Sequence, residues 1–174
     1  GQQADYLFGQ AGDDTIEGGG GADTLVGGIA ADWMEGDQGA DFLFGGDGAD
    51  TLIGGAGGDW MGGGAGADLF RFLATTESSA ATGYDAVGQF QTGVDRIDLA
   101  AIDANTGVAG DQAFTIGALA VGQAGRLQIT TTSGYTLVEG DVNGDGVADI
   151  AFFVWSETGG VAAPATLAAG DFIL

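Results

Sequence analysis

The feature that most constrains this chain is a nine-residue period. Residues 9–71 read in frame as GQAGDDTIE, GGGGADTLV, GGIAADWME, GDQGADFLF, GGDGADTLI, GGAGGDWMG and GGAGADLFR, without insertion, and a clipped copy, GQQADYLF, precedes them from Gly1. The first four positions are mostly small, the sixth is Asp and the eighth is a large apolar residue. The Asp column is Asp5, Asp14, Asp23, Asp32, Asp41, Asp50, Asp59 and Asp68; the apolar column is Leu7, Ile16, Leu25, Met34, Leu43, Leu52, Met61 and Phe70. A strict period of this length implies a solenoid, in which each unit buries its apolar side chain only by stacking on its neighbours. A disordered Gly/Asp-rich tract would not keep eight Asp residues in register.

One apolar residue per nine fits neither an amphipathic helix nor a long alternating strand. It fits a three-residue strand such as Thr24-Leu25-Val26 with the middle side chain inward. A Gly-rich turn of six residues follows, because Gly accepts positive φ and close backbone approach. If successive strands enter two opposite sheets, each residue stacks on the one 18 further on, at about 4.8 Å. Asp14, Asp32, Asp50 and Asp68 then line one edge, and Asp5, Asp23, Asp41 and Asp59 the other.

Carboxylates stacked at that spacing repel one another unless a cation lies between them. Residues 1–70 contain no Lys, Arg or His, so the cation must come from outside. A calcium ion accepts six to eight carboxylate and carbonyl oxygens at about 2.3–2.6 Å, whereas magnesium holds its waters too tightly for an all-protein cage. Residues 1–70 carry 13 negative charges, and the six Asp pairs 18 apart would take six divalent ions, 12 positive charges in all.

The repeats resemble the calcium-binding β-roll of RTX (hemolysin-type) proteins, and the remaining chain is similar to the C-terminal domain of serralysin-type secreted metalloproteases. The resemblance implies an all-β fold, a parallel β-roll over residues 1–71 continued by an antiparallel β cap over 72–174 as one structural unit. It also implies the ligands: carbonyls of positions two and four with the Asp of one turn, and carbonyls of positions one and three with the Asp of the next turn on that edge. On one edge Gln10, Gly12 and Asp14 would share an ion with Gly27, Ile29 and Asp32; Gly28, Ala30 and Asp32 with Gly45, Asp47 and Asp50; and Gly46, Gly48 and Asp50 with Gly63, Ala65 and Asp68. On the other edge the sets are Gly1, Gln3 and Asp5 with Gly18, Gly20 and Asp23; Gly19, Gly21 and Asp23 with Gly36, Gln38 and Asp41; and Asp37, Gly39 and Asp41 with Gly54, Ala56 and Asp59. Gln3 and Ala30 replace Gly at position four, and Gln10 and Asp37 at position two. Their carbonyls survive, so the expected cost is backbone strain, with the Gln3 and Ala30 sites weakest.

Beyond Arg71 the period stops. The segment DLFRFLATTESSAATGYDAVGQFQTGVDRIDL, residues 68–99, resembles the serralysin stretch that closes the roll, where Glu77, Asp85 and Asp95 match acidic positions that hold one or two further calcium ions. Solvated loop carboxylates are the alternative. Residues 113–116, 127–132, 135–138, 150–155 and 172–174 read as strands, and 99–104 as a short helical turn. Asp141-Val142-Asn143-Gly144-Asp145-Gly146-Val147-Ala148-Asp149 offers EF-hand-like oxygens but has Phe152 where the loop needs Glu, so a hairpin turn explains it better. The terminal Asp171-Phe172-Ile173-Leu174 resembles an uncleaved type I secretion signal, although an edge strand fits it equally.

With 37 glycines and net charge -22, the ion-free chain is expected to be expanded and to be repelled by nucleic acid and anionic membranes. No stretch is apolar enough to span a bilayer, and Gly1 begins inside a repeat, as expected of a fragment. The chain has no His, Cys or Lys, which excludes zinc-protease, Ser-His, thiol and phosphate-loop chemistry. One face of the roll, Tyr6, Thr24, Phe42 and Trp60 beside Phe8, Val26, Phe44 and Gly62, is almost wholly apolar and is expected to be covered by the cap, by an N-terminal passenger domain or by a partner. Sugar stacking on Trp33 or Trp60 is a further alternative. These observations and the resemblance together imply a non-catalytic, calcium-dependent folding module of a larger protein, a serralysin-like protease or another exported enzyme, passed to the exterior of a Gram-negative bacterium by a type I secretion apparatus. The alternative is a calcium-ordered surface-layer, adhesion or polysaccharide-binding module.

Overall fold

The computed structural model describes residues 1–158 and 161–174. Eight strands wind through the repeats: β1 (Tyr6–Ala11), β2 (Thr15–Gly20), β3 (Thr24–Ile29), β4 (Trp33–Gln38), β5 (Phe42–Asp47), β6 (Thr51–Ala56), β7 (Trp60–Ala65) and β8 (Leu69–Arg71). Odd strands form one parallel sheet and even strands the other. The 18-residue register is kept throughout: Leu25 lies opposite Leu43, and Met34 opposite Leu52. Ile16, Leu25, Met34, Leu43, Leu52, Met61 and Phe70 fill the space between the sheets.

Seven of the eight strands, β1 to β7, are six residues long rather than three, because the turns stack as well. Gly28 pairs with Gly46 and Ile29 with Asp47, so the main chain of each turn is part of the ladder. Positive φ at two places makes this geometry. Position two has φ between 72° and 124° and position four between 93° and 159° in all seven complete repeats. Gln10, Asp37 and Ala30 carry the predicted strain at φ 79°, 72° and 93°, whereas Gln3 is not among the positive-φ residues. The strain argument therefore singles out the Ala30 site and not the Gln3 site.

The period ends at Arg71, but the roll does not. In β9 (Asp85–Gly88) Ala86 pairs with Trp60 and Val87 with Met61; in β10 (Arg96–Asp98) Arg96 pairs with Leu69 and Ile97 with Phe70. Residues 80–88 and 90–98 are thus two degenerate units, with Gly83 and Gly93 at position four, φ 119° and 77°, and buried Val87 and Ile97 at position eight. The insertion of residues 72–79 and of Gln89 hides them from the count.

The rest of the chain extends both sheets. β12 (Arg126–Thr131), β13 (Thr136–Asp141), β14 (Ile150–Thr158) and β15 (Val161–Pro164) are antiparallel, as expected of a cap. Its junctions are not: β14 joins β9 in parallel, β11 (Thr115–Ile116) joins β12, and β16 (Phe172–Ile173) joins β10. Residues 99–104 begin with a single turn closed by the Ile102 N–H on the Leu99 carbonyl at 2.9 Å, followed by bends; the one 3-10 helix among the described residues is Ala169–Asp171. Phe72 stacks on Phe152 at 4.4 Å and the Ser78 hydroxyl donates to the Ala151 carbonyl at 2.6 Å, which fixes the inserted loop to β14.

The cap does not cover the apolar face, contrary to one of the three expectations. Tyr6 and Phe8 are 74% and 62% exposed, and Phe42 and Phe44 are also exposed. Instead the cap prolongs the face. Across β9, β14 and β13 the outward row continues through Ala86, Phe153 and Leu137, with Trp155 beside Gly88 and Tyr135 edge-on to Phe153. The Trp60 ring lies beside Gly62 and Gly88, where a Cβ would strike it, so these glycines give the indole room against the sheet.

Candidate metal centre

Each Asp of the column directs its two oxygens to different turns. The main-chain N–H of Asp14 donates to Oδ1 of Asp32 at 2.8 Å, that of Asp32 to Asp50, and that of Asp50 to Asp68. On the other edge Asp5, Asp23 and Asp41 donate in the same way to Asp23, Asp41 and Asp59. Oδ2 of Asp14, Asp23, Asp32, Asp41, Asp50, Asp59 and Asp68 is buried and meets no protein donor. Seven orphaned carboxylate oxygens are more than a fold tolerates without a counter-charge.

What faces these oxygens explains the invariant Gly at position one of the complete repeats, which does not adopt positive φ. A Cβ on Gly9 would lie 2.6 Å from Asp14 Oδ2 and 2.7 Å from the Gly27 carbonyl oxygen. On Gly18 it would lie 2.8 Å from Asp23 Oδ2 and 2.9 Å from the Gly36 carbonyl oxygen. Gly27, Gly36 and Gly45 repeat the pattern with Asp32 and Gly45, Asp41 and Gly54, and Asp50 and Gly63. Position one must therefore lack a side chain because a carboxylate oxygen and the next turn's carbonyl converge beside it. The carbonyls of positions two and four stand at the same seam: that of Gln10 against Gly28, those of Gly28 and Ala30 against Gly46 and Gly48, and those of Gly21 and Asp37 against Gly39 and Gly55. Position-three carbonyls of Ile29, Gln38, Asp47, Ala56 and Ala65 each accept a position-four N–H, leaving one lone pair free.

The donor set is oxygen only, and no three acidic side chains converge among the described residues, so a cation here must draw main-chain carbonyls. Carboxylates and carbonyls are the ligands of calcium rather than of zinc or copper. Five of the six predicted sites show the convergence. At the sixth, Gly1 lies 3.3 Å from Asp5 Oδ2 by the same measure, at the more open end of the roll.

A sequence profile described as peptidase M10 serralysin C terminal matches residues 5–158. The chain belongs to that serralysin C-terminal family. Two solved structures from Azotobacter vinelandii are similar. The AlgE6R3 subunit of the mannuronan C5-epimerase is 27% identical with a TM-score of 0.53, over 83% of this chain and 72% of that one. The AlgE6R2 subunit of the same enzyme is 26% identical with a TM-score of 0.51, over 96% and 91%. No curated protein sequence matches. Serralysin C-terminal domains are RTX β-roll repeat regions, non-catalytic and calcium-binding in general, and they belong to secreted proteins of Gram-negative bacteria.

In this serralysin C-terminal domain, burial first and then neighbouring carboxylates push the Asp groups up, while the main-chain N–H bonds oppose the shift. Asp41, Asp50 and Asp68 rise to about 6, and Asp59 to about 7. The three acidic residues beyond the repeats do not meet at one point. Asp85 accepts the Asp59 N–H at 2.8 Å and extends that edge; its Oδ2 is buried and unpartnered, and burial drives the group to about 9. Glu77 accepts the Leu73 N–H and its charge bears on both Asp59 and Asp85. Asp95 lies on the opposite edge, accepting the Asp68 N–H at 3.0 Å. The signal that would have placed them is Gly-x-Asp-x-apolar, present as Gly83 to Val87 and Gly93 to Ile97.

In the Asp141 loop the carboxylates turn inward onto the main chain. Asp141 accepts the N–H groups of Asn143, Gly144 and Gly146, and Asp149 accepts Val142 N–H and the Asn143 amide. Asp171 is buried, and the C-terminal residues form the edge strand that was one of their two readings.

Proposed function

We propose that this β-roll is a calcium-dependent folding and export module, itself without catalytic activity, at the end of a larger secreted protein. The observation that carries the reading is the row of buried Oδ2 atoms, five of which, from Asp14 to Asp50, converge with a carbonyl of the next turn. Without divalent ions the stacked carboxylates oppose folding, and the chain stays extended, as passage through a type I secretion channel requires. Calcium outside the cell neutralises the columns, and its binding energy becomes folding energy. Residues 171–174 pair into the even sheet once folding is complete, so a secretion apparatus would read them on the unfolded chain. The passenger would lie N-terminal to the roll.

Far-UV circular dichroism during calcium titration of the EDTA-treated protein, with magnesium as control, tests this reading. A coil-to-β transition near millimolar calcium and none with magnesium supports it; equal β structure in EDTA refutes it.

A second reading rests on the outer face, where Phe42, Phe44 and Trp60 cluster, with Phe44 and Trp60 centroids 4.6 Å apart, and on the likeness to subunits of an enzyme that acts on mannuronan. Aromatic rings on a flat, uncharged surface suit stacking of sugar rings. Retardation of the calcium-loaded domain in gels containing mannuronan, abolished by Trp60→Ala, would place a polysaccharide on this face; unchanged mobility would remove the reading.

A further inference from the structure

We infer that the two edges of the roll end differently, and that Asp95 closes its edge without a cation; this rests on the calcium reading above. Asp95 is fully buried and in register with Asp68, on the edge where Asp14, Asp32, Asp50 and Asp68 each leave Oδ2 orphaned. Yet both of its oxygens are taken by protein. Oδ1 accepts the Asp68 N–H, and Oδ2 accepts the Gln91 N–H at 2.7 Å, a bond within its own turn. In the repeats the residue at position two has positive φ and makes no such bond. Here Gln91 does not have positive φ, and the left-handed residue is Gln89, at φ 58°. Moving that conformation from position two to the residue before position one turns the Gln91 N–H inward onto the carboxylate.

On the opposite wall of the seam Asp68 Oδ2 stays buried without a donor, but a neighbouring ligand oxygen is taken. The carbonyl of Gly64, a position-two oxygen, accepts the Gln91 side-chain amide at 2.7 Å. The converging carbonyl is missing beyond the repeats on both edges: around a Cβ built on Gly63 the three nearest atoms all belong to Asp68, and around one on Gly54 all belong to Asp59, so the Gln91 bonds are what set this edge apart. From the far side Asp171 accepts the Gly93 N–H at 2.8 Å and seals the turn. Two N–H groups of Gln91 thus face the oxygens that a cation would bridge between Asp68 and Asp95. The other edge has no equivalent of these Gln91 bonds, since Asp85 keeps its Oδ2 unpartnered beside Asp59 and Glu77. Asp95 is therefore a positioning residue for the last turn, and an ion beyond the repeats is confined to the Asp85 edge.

Anomalous-difference density from crystals of the unmodified chain grown in calcium tests this directly. The expected map has peaks along both Asp columns and none within about 2.6 Å of Asp95 Oδ2. A peak there overturns the inference; absence of peaks throughout overturns the calcium reading instead. In solution, equilibrium dialysis should return the same bound calcium per chain for Asp95→Asn as for the unmodified chain, and at least one ion fewer for Asp85→Asn. Loss of an ion in folded Asp95→Asn would also overturn it, and the crystallographic arm stands if that variant does not fold.

Discussion

Protons should replace calcium. In the ion-free roll the column carboxylates have pKa values raised by burial: about 6 at Asp41, Asp50 and Asp68, about 7 at Asp59 and about 9 at Asp85, against 3.8 in an exposed chain. The folded state therefore binds more protons than the unfolded one, so these groups favour folding fully below about pH 4 and lose that contribution as pH rises through 6 to 9. A shift from 3.8 to about 6 corresponds to at most roughly 3 kcal/mol per group, less where solvent screens the carboxylate. Four or five such groups together are comparable with the about 5–15 kcal/mol that keeps a typical domain folded. Calcium-stripped protein should thus be unfolded at pH 7.5 and gain β structure on acidification to about pH 5, just above its pI of about 4.1. Far-UV circular dichroism on dilute protein in calcium-free buffer is the assay. With calcium present the sign reverses, because protons compete for the ligands and the calcium midpoint must rise as pH falls. A calcium-stripped chain that is still disordered at pH 5 and monomeric would refute the account of the columns as the barrier to folding.

Three substitutions separate the roles of the turn positions and the core. Ala30→Gly should stabilise the calcium-loaded domain by about 1 kcal/mol by relieving the φ of 93°, raising Tm by roughly 2–4 °C in a thermal melt. Gly45→Ala leaves an ordinary φ but places a Cβ against Asp50 Oδ2 and the Gly63 carbonyl, so calorimetry should show weakened calcium binding. Leu43→Ala, at a fully buried position, should cost about 2–5 kcal/mol in denaturant unfolding at saturating calcium without changing the number of ions bound.

The roll was legible because a period of nine fixes stacking distance, inward residue and Asp alignment together. The register from Leu25 to Leu43 and the two Asp edges followed from counting alone. The strand length was misjudged because turn residues such as Gly28 and Ile29 hydrogen-bond across the seam, which composition does not reveal. The continuation through Asp85 and Asp95 was obscured by the insertion of residues 72–79, since a loop leaves the stacking intact while destroying the count. Their separation onto two edges follows from the alternation that already puts Asp59 and Asp68 on opposite edges, and Gln89 only lengthens the spacing from nine to ten. The expectation of an antiparallel cap missed its parallel junctions because β14 and β16 meet the roll only through residues distant in sequence.

The division of each interior carboxylate, Oδ1 held by the turn before and Oδ2 open to the turn after, means that no seam along an edge is independent of the next. Each edge is a one-dimensional lattice with nearest-neighbour coupling, and the two rails share only the core between them. In such a lattice the steepness of the response to a cation is set by the number of consecutive units, not by the affinity of any one. Lengthening the array would sharpen the transition, and a break in mid-rail would divide it into two shallower ones.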